Sequence, residues 1–238
     1  MLKVLDLSKN CSFRENSKEI GNCPNLWTLN LYNNQFTGEL PLFWTNTSLI
    51  NLDVEFNLLS GELPVKLVEN LPAILYLHLS NNNMVSHDGN TNLNPFFTAL
   101  ANCTRLLELD WLVWDLEACY LLHWRDLVST LQSVAARKNQ IFGSGSFKCR
   151  GNLTKLNYLF LNNKPVIWTN TSSIRTLHRT VQLDLSHKQI DRGHSPELSS
   201  GLSEIRLFIN LSHNQLEGSI PIERSKLEDV QENGSLIK

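Results

Sequence analysis

Leucines recur along this chain in a fixed frame that closes on an asparagine, and that frame leaves few folds open. Leu26, Leu29, Leu31 and Asn34 are spaced L-x-x-L-x-L-x-x-N. Leu49, Leu52, Val54 and Asn57 repeat the spacing, as do Ile74, Leu77, Leu79 and Asn82. Leu2, Leu5, Leu7 and Asn10 open the chain with it, and Ile209, Leu211 and Asn214 carry part of it near the other end. Residues two apart point to the same side of a strand, so Leu29 and Leu31 mark a short strand with one buried side. A unit this small cannot bury that side alone. Copies must stack and cover one another.

The asparagine slot falls at positions 10, 34, 57, 82, 114, 139, 164, 188 and 214. That spacing predicts about nine units of about 24 residues, the period of a leucine-rich repeat. The expected fold class is an α/β solenoid. It is a right-handed arc with a parallel β-sheet on its concave face and short 3-10 or helical turns on its convex side. The repeat domain is expected over 1–221, with 222–238 a partial repeat or frayed tail. Nine strands stacked at the usual spacing span roughly 40 Å.

Each slot has a physical role. A buried asparagine amide can satisfy turn backbone of its own and of adjacent repeats, forming a ladder. Behind the strand, Phe36-Thr37-Gly38-Glu39-Leu40-Pro41, Leu59-Ser60-Gly61-Glu62-Leu63-Pro64 and Leu216-Glu217-Gly218-Ser219-Ile220-Pro221 share a second signature. Glycine permits tight backbone there and proline fixes φ. The Thr/Ser–Gly pairs predict a second short extended segment beside the main strand. Helical turns are predicted over Pro64–Leu71 and Pro95–Leu100.

Between 110 and 200 the pattern degenerates. Trp111 takes a leucine slot, Trp114 an asparagine slot, Thr180 a core leucine slot, and Lys164 and Lys188 two more asparagine slots. A lysine ammonium cannot accept the hydrogen bonds an asparagine carbonyl accepts. This segment is therefore expected to be the least regular and least stable. The step between positions 82 and 114 is longer than the others. It holds an insertion near 84–95, where the polar run Ser86–Leu93 contains an Asp88-Gly89 turn signal.

A net charge of -2 gives no support to nucleic-acid binding. Acidic residues outnumber basic ones over 1–119, and the balance reverses over 120–238. No run reaches the ~20 apolar residues of a membrane span, and no signal peptide is visible ahead of Leu2. The chain reads as a piece of something longer. Five cysteines, at 11, 23, 103, 119 and 149, cannot all pair with one another, and they lack metal-site spacing. Cys11 and Cys23 read either as a pair or as small buried residues. Seven N-x-Ser/Thr sequons, at Asn10, Asn46, Asn102, Asn152, Asn170, Asn210 and Asn233, tilt the parent protein toward secretion.

Histidines show no H-E-x-x-H, and Gly143-x-Gly145-x-x-Lys148 lacks the ending of a phosphate loop. No catalytic, cofactor or metal set is expected. Parallel stacking should instead align outward strand residues in columns on the concave face. One column would hold Asp6, Asn30, Asp53, His78, Asp110, Ala135, Phe160, Asp184 and Asn210. Trp27, Tyr76, Tyr158 and Phe160 would add aromatic surface. The expected binding face is Trp27, Asn30, Asp53, Tyr76, His78, Asp110, Tyr158, Phe160 and Asp184. Aromatic anchors beside acidic groups suit a peptide or protein contact. Plain variation of a solvent-facing scaffold is the competing reading.

The form L-x-x-L-x-L-x-x-N-x-F-x-G-x-x-P, fullest in Leu26–Pro41, Leu49–Pro64 and Leu211–Pro221, resembles the plant-specific class of leucine-rich repeats. Ser86–Leu106 and Gly151–Leu156 are similar to the ectodomains of plant receptor-like serine/threonine kinases of the immune-receptor type. The resemblance implies a peptide or protein ligand, and a co-receptor, on the concave or lateral face at the cell surface. It implies a role in immune or developmental signalling, with no cofactor. The His-Arg-Asp and Asp-Phe-Gly motifs of the kinase are not in these 238 residues. An inert receptor fragment with only a structural role and an intracellular protein-binding adaptor remain as alternatives.

Overall fold

The computed structural model describes residues 2–10, 18–42, 44, 48–111, 131–135, 155–160, 180–184, 186 and 208–213. Each leucine frame opens on a strand of three residues. These are β1 (Val4–Asp6), β2 (Thr28–Asn30), β4 (Asn51–Asp53), β6 (Tyr76–His78), β7 (Glu108–Asp110), β8 (Ser133–Ala135), β9 (Tyr158–Phe160), β10 (Gln182–Asp184) and β11 (Phe208–Asn210). They form one nine-stranded sheet in chain order, and every pairing is parallel. The strands follow one another in chain order because each repeat returns its chain beside the strand it has just left. The solenoid expectation therefore holds, with its nine repeats.

The middle residue of each strand points into the core. Leu29, Leu52, Leu77, Leu109, Val134, Leu159, Leu183 and Ile209 are buried, and Leu5 packs on them half-buried in the first strand. Two residues on, Leu31, Val54, Leu79 and Trp111 fill a second buried column. Trp111 breaks the leucine pattern in sequence, yet it is fully buried. Its ring meets Phe97 edge-on at 5.5 Å between centroids. Thr180 also stays in the core, where its hydroxyl donates to the Leu156 carbonyl at 3.4 Å. Trp114, Asn139, Lys164, Lys188 and Asn214 lie outside the described residues. The strands described between 110 and 200 keep the parallel register.

The asparagine ladder forms as the chemistry requires. Asn57 Nδ2 donates to the carbonyls of Leu31 (2.9 Å) and Val54 (3.0 Å), and its Oδ1 accepts from Phe36 N–H (3.1 Å). Asn82 repeats this with Val54 (2.9 Å), Leu79 (3.0 Å) and Leu59 N–H (3.0 Å). Asn34 donates to Leu7 (2.8 Å) and Leu31 (3.1 Å) and accepts from Asn10 N–H (3.1 Å). Each amide therefore ties its own repeat to the preceding one. The residue before the slot is left-handed wherever it is described. Lys9, Asn33, Phe56, Asn81 and His213 have φ between 54 and 57°. Among residues with a side chain, asparagine is one of those that tolerate that region best. Phe56, unusual there, lies edge-on to Tyr32 at 5.3 Å.

A second, smaller sheet runs beside the first. Thr37–Gly38 (β3) pairs in parallel with Leu58–Leu59 (β5), ahead of the Ser60-Gly61 pair that sequence singles out. Gly38, inside β3, and Gly61 both sit at left-handed φ, +78° and +84°, and at Gly61 a Cβ would lie 2.5 Å from Glu39 Cγ, so a side chain there is excluded. On the convex side, Val65–Glu69 (α1) and Asn94–Ala101 (α3) provide the helical turns, and Phe96, Phe97 and Leu100 of α3 are buried. The insertion is not loose at its base. His87–Asn90 (α2) turns through left-handed Asp88 and Gly89. His87 Nδ1 contacts Glu62 Oε2 of the preceding repeat, and Asn92 Nδ2 donates to Asp88 Oδ2 at 2.7 Å.

Candidate binding face

Strand alternation leaves the first and third residues of each strand on the concave face. The register aligns the third residues as Asp6, Asn30, Asp53, His78, Asp110, Ala135, Phe160, Asp184 and Asn210, one column across the sheet. The first residues form a parallel column of Val4, Thr28, Asn51, Tyr76, Glu108, Ser133, Tyr158, Gln182 and Phe208. Tyr76, Tyr158 and Phe160 thus share the face with Asn30, Asp53, His78 and Asp110.

Two candidates are corrected. Trp27 precedes β2 and flanks the sheet instead of lining it, although it is exposed and lies 5.0 Å beneath the Lys3 ammonium. Asp184 is in the column but buried, with 9% of its surface open. Its Oδ1 accepts from Ser186 N–H at 3.0 Å, so the carboxylate serves its own turn.

That bond recurs down the column. Oδ1 of Asp6, Asn30, Asp53 and Asn210 accepts from the N–H two residues on, at 2.9, 3.0, 3.1 and 3.1 Å. A short polar side chain at this position turns the chain out of the strand, as in an Asx turn. By sequence these Asp and Asn residues read as concave-face groups, either ligand-facing or plain solvent-facing scaffold, with no turn role. The recurrence of Asp or Asn before a leucine, two residues ahead of the turn, was the available signal.

Electrostatics concentrate where β4, β6 and β7 adjoin. His78 Nδ1 lies 3.8 Å from Asp53 Oδ2, and Nε2 lies 3.5 Å from Glu108 Oε1. Ser80 Oγ donates to Asp110 Oδ1. Burial opposes a charge on His78, but the carboxylates of Asp53 and Glu108 override it and raise the imidazole to about 10. Bonding to His78 in turn holds Glu108 below the ordinary carboxylate range, against burial. Glu55 is pushed up to about 8, first by burial and then by the charges of Asp110 and Asp53. The patch is a protonated imidazole set among four carboxyl groups, one of which also keeps its proton near neutrality.

Asp53, Glu55 and His78 bring donor atoms within 4.8 Å of one another, close enough in principle for a cation. At neutral pH two of the three hold protons on those atoms. An imidazolium offers no lone pair to a metal, so a cation there would have to displace these protons.

The shifts fix a pH dependence. Glu55 and His78 both have folded values above their unfolded ones, near 4.5 and 6.5. The folded state therefore holds more protons, and stability falls as pH rises. The Glu55 contribution is lost between about pH 4.5 and 8, and the His78 contribution between about 6.5 and 10. Thermal melts followed by circular dichroism should show a melting temperature lower at pH 9 than at pH 5.5, by on the order of 5 °C. Glu55→Gln should flatten the slope below pH 8. A flat or rising profile over this window contradicts the assignment.

Comparison with known proteins agrees with the fold. The leucine-rich repeat family model matches residues 25–47. The Arabidopsis thaliana serine/threonine-protein kinase BRI1-like 1 is 34% identical over 87 residues, which is 35% of this chain and 8% of that kinase. The Arabidopsis receptor kinase HAESA, solved with the peptide hormone IDA and the co-receptor SERK1, superposes with a TM-score of 0.76 at 26% identity, over 96% of this chain and 37% of that one. The TDR receptor gives a TM-score of 0.76 at 22% identity, over 96% and 38%. The chain thus spans well under half the length of these relatives. Among the described residues no helix is long and apolar enough to cross a membrane.

Proposed function

We propose that this leucine-rich repeat array is a non-catalytic recognition arc, the ligand-binding region of a plant receptor-like kinase or receptor-like protein at the cell surface. The observation that carries the reading is the concave sheet itself. Its register collects Tyr76, His78, Asp53, Glu108 and Asp110 on neighbouring strands, with Tyr158 and Phe160 further along the same face. Aromatic side chains on a rigid sheet lose little entropy on contact, and carboxylates beside them set the polarity of the partner. HAESA, which shares this fold, was solved with a peptide hormone and a co-receptor. That likeness supports a peptide or protein ligand here, with a co-receptor on the concave or lateral face.

The structural reading of the Asx column does not exclude this role. In Asp6, Asn30, Asp53 and Asn210 one side-chain oxygen holds the turn, which leaves each group a second polar atom. In Asp6 and Asp53 that second oxygen already contacts Asn30 Nδ2 and His78 Nδ1 respectively. The same residues that close the turns thus also order the surface.

Selection of a random displayed-peptide library on the immobilised chain tests the proposal. The expected result is a family of related sequences carrying basic and aromatic residues. Hydrogen exchange should show them protecting β4, β6 and β7. A pool without a consensus, or protection confined to α1 and α3, contradicts it.

A further inference from the structure

The fold distinguishes sequons that sequence alone treats alike. Asn10, Asn102 and Asn210 are the three acceptor asparagines among the described residues. Asn10 Nδ2 already donates to the carbonyls of Leu7 (2.9 Å) and Ser8 (3.0 Å) as the first rung of the ladder. Asn210 lies in β11, in the concave column beside Asp184, and its Oδ1 holds Ser212 N–H at 3.1 Å. A sugar on either would break a turn or stand on the sheet.

Asn102 differs in every respect. It is the C-cap of α3 on the convex side, and both it and Thr104 are exposed. Its side chain makes no hydrogen bond among the described residues, while its carbonyl accepts from Thr104 N–H at 3.0 Å. That contact keeps the asparagine and the hydroxy residue of the sequon on one surface turn. Between them, fully buried Cys103 points its sulfur toward the carbonyls of Val68 (3.7 Å) and Leu71 (3.8 Å). Burial pushes this thiol up to about 11, so it is a poor thiolate and a poor disulfide partner. The residue between acceptor and hydroxyl is thus locked into the core, and the two outer ones face solvent.

We infer that Asn102 is an N-linked glycosylation site, and that its glycan stands on the convex face, clear of the concave sheet. The donor is a lipid-diphosphate-linked oligosaccharide. The Asn102 side-chain nitrogen forms a bond to the anomeric carbon of the first sugar, the bond from that carbon to the diphosphate oxygen breaks, and lipid diphosphate leaves. The amide gives up one proton to base. The remaining N–H costs the fold nothing, because neither was used. Occurrence of the modification in the cell rests on the surface location proposed above, but fitness of the site does not.

The full chain is therefore directed into the secretory pathway of insect cells behind a heterologous signal sequence. The folded, monodisperse fraction is isolated by size exclusion. Glycopeptide mass spectrometry after enzymatic release in heavy-oxygen water then reads each sequon. The expected result is Asn102 occupied in most molecules, with Asn210 unmodified in the folded fraction. Asn102→Gln and Thr104→Ala should each remove one glycan, and Thr104→Ser should retain it, with the far-ultraviolet spectrum unchanged in all three. An unoccupied Asn102 beside occupied sequons elsewhere overturns the inference. If secretion fails, glycan number on chain translocated into microsomes reads Asn102 directly, and no loss of a glycan in Asn102→Gln is then the overturning result. Failure of the ligand proposal would leave these outcomes untouched.

Discussion

Asn82→Ala should destabilise the array by about 3–5 kcal/mol. Asn82 is buried, with 1% of its surface open, and it serves two repeats at once. Truncation strands the Leu79 carbonyl and the Leu59 N–H, each 3.0 Å from the amide, and leaves the Val54 carbonyl with Asn57 Nδ2 alone. Each buried backbone group left without a partner costs about 1–3 kcal/mol, and no water has easy access to replace the amide. Asn10→Ala is the internal comparison. That rung is exposed, solvent can take over its bonds, and the cost should be about 1 kcal/mol or less. Urea unfolding followed by circular dichroism measures both. Equal effects for the two variants would mean that the ladder does not hold the turns. Nearest-neighbour coupling in a solenoid adds a second signature. Amide protection should drop first in β4, β6 and β7, the strands around the missing rung.

The second large effect belongs to Trp111→Ala, at about 3–5 kcal/mol for a fully buried indole replaced by a methyl group. Trp111 occupies a slot that the first repeats give to leucine or valine, and the array has no spare room for the extra volume in its regular turns. The inserted stretch supplies it. Helix α3 is the longest helix among the described residues, and it brings Phe97 edge-on to the indole at 5.5 Å, with Phe96 alongside Phe97 at 6.1 Å. Three aromatic rings thus fill the wedge where the repeat period lengthens. Trp111→Leu restores the frame but not the volume, so it should also destabilise, by less than the alanine variant. A cost under about 1 kcal/mol for Trp111→Ala would show that this wedge is not packed as described.

Most of the fold was legible in the sequence because one slot serves one physical need. The leucines at 26, 29 and 31 need a buried side, and Asn34 needs turn backbone to bond. Those needs recur at a constant interval, so register follows from counting. The concave column from Asp6 to Asn210 could be written down before any coordinates, and the pairing of all nine strands reproduces it. What counting could not supply was the third dimension of a single side chain. Asp184 and Asp53 look alike in sequence, yet one is buried on its own turn and the other faces His78. Trp27 carries the parity of the core leucine Leu29, but it stands ahead of the strand and stays exposed. Trp111 reads as a defect and is instead a packed core residue.

The charge pattern of the binding face was only partly legible. Asp53, His78 and Asp110 fell into one column by spacing. Glu108 and Glu55 did not attract notice, since neither occupies that column. Their role comes from distance: Glu108 sits 3.5 Å from the imidazole, and Glu55 is crowded by Asp53 and Asp110. Two residues on neighbouring strands, offset by two positions, meet on a parallel sheet in a way that a one-dimensional frame does not display.

The proposed recognition role stands or falls on where a ligand sits. The most direct measurement is the affinity of one library-selected peptide for the native chain and for the double variant Asp53→Asn, Asp110→Asn, by titration calorimetry at pH 6. Asparagine keeps an oxygen for the Glu55 N–H and for Ser80, so the sheet should survive the exchange. The account predicts a loss of about tenfold or more, with the unfolding transition still cooperative. A peptide that binds both forms equally would place its contact off the concave sheet and contradict the assignment.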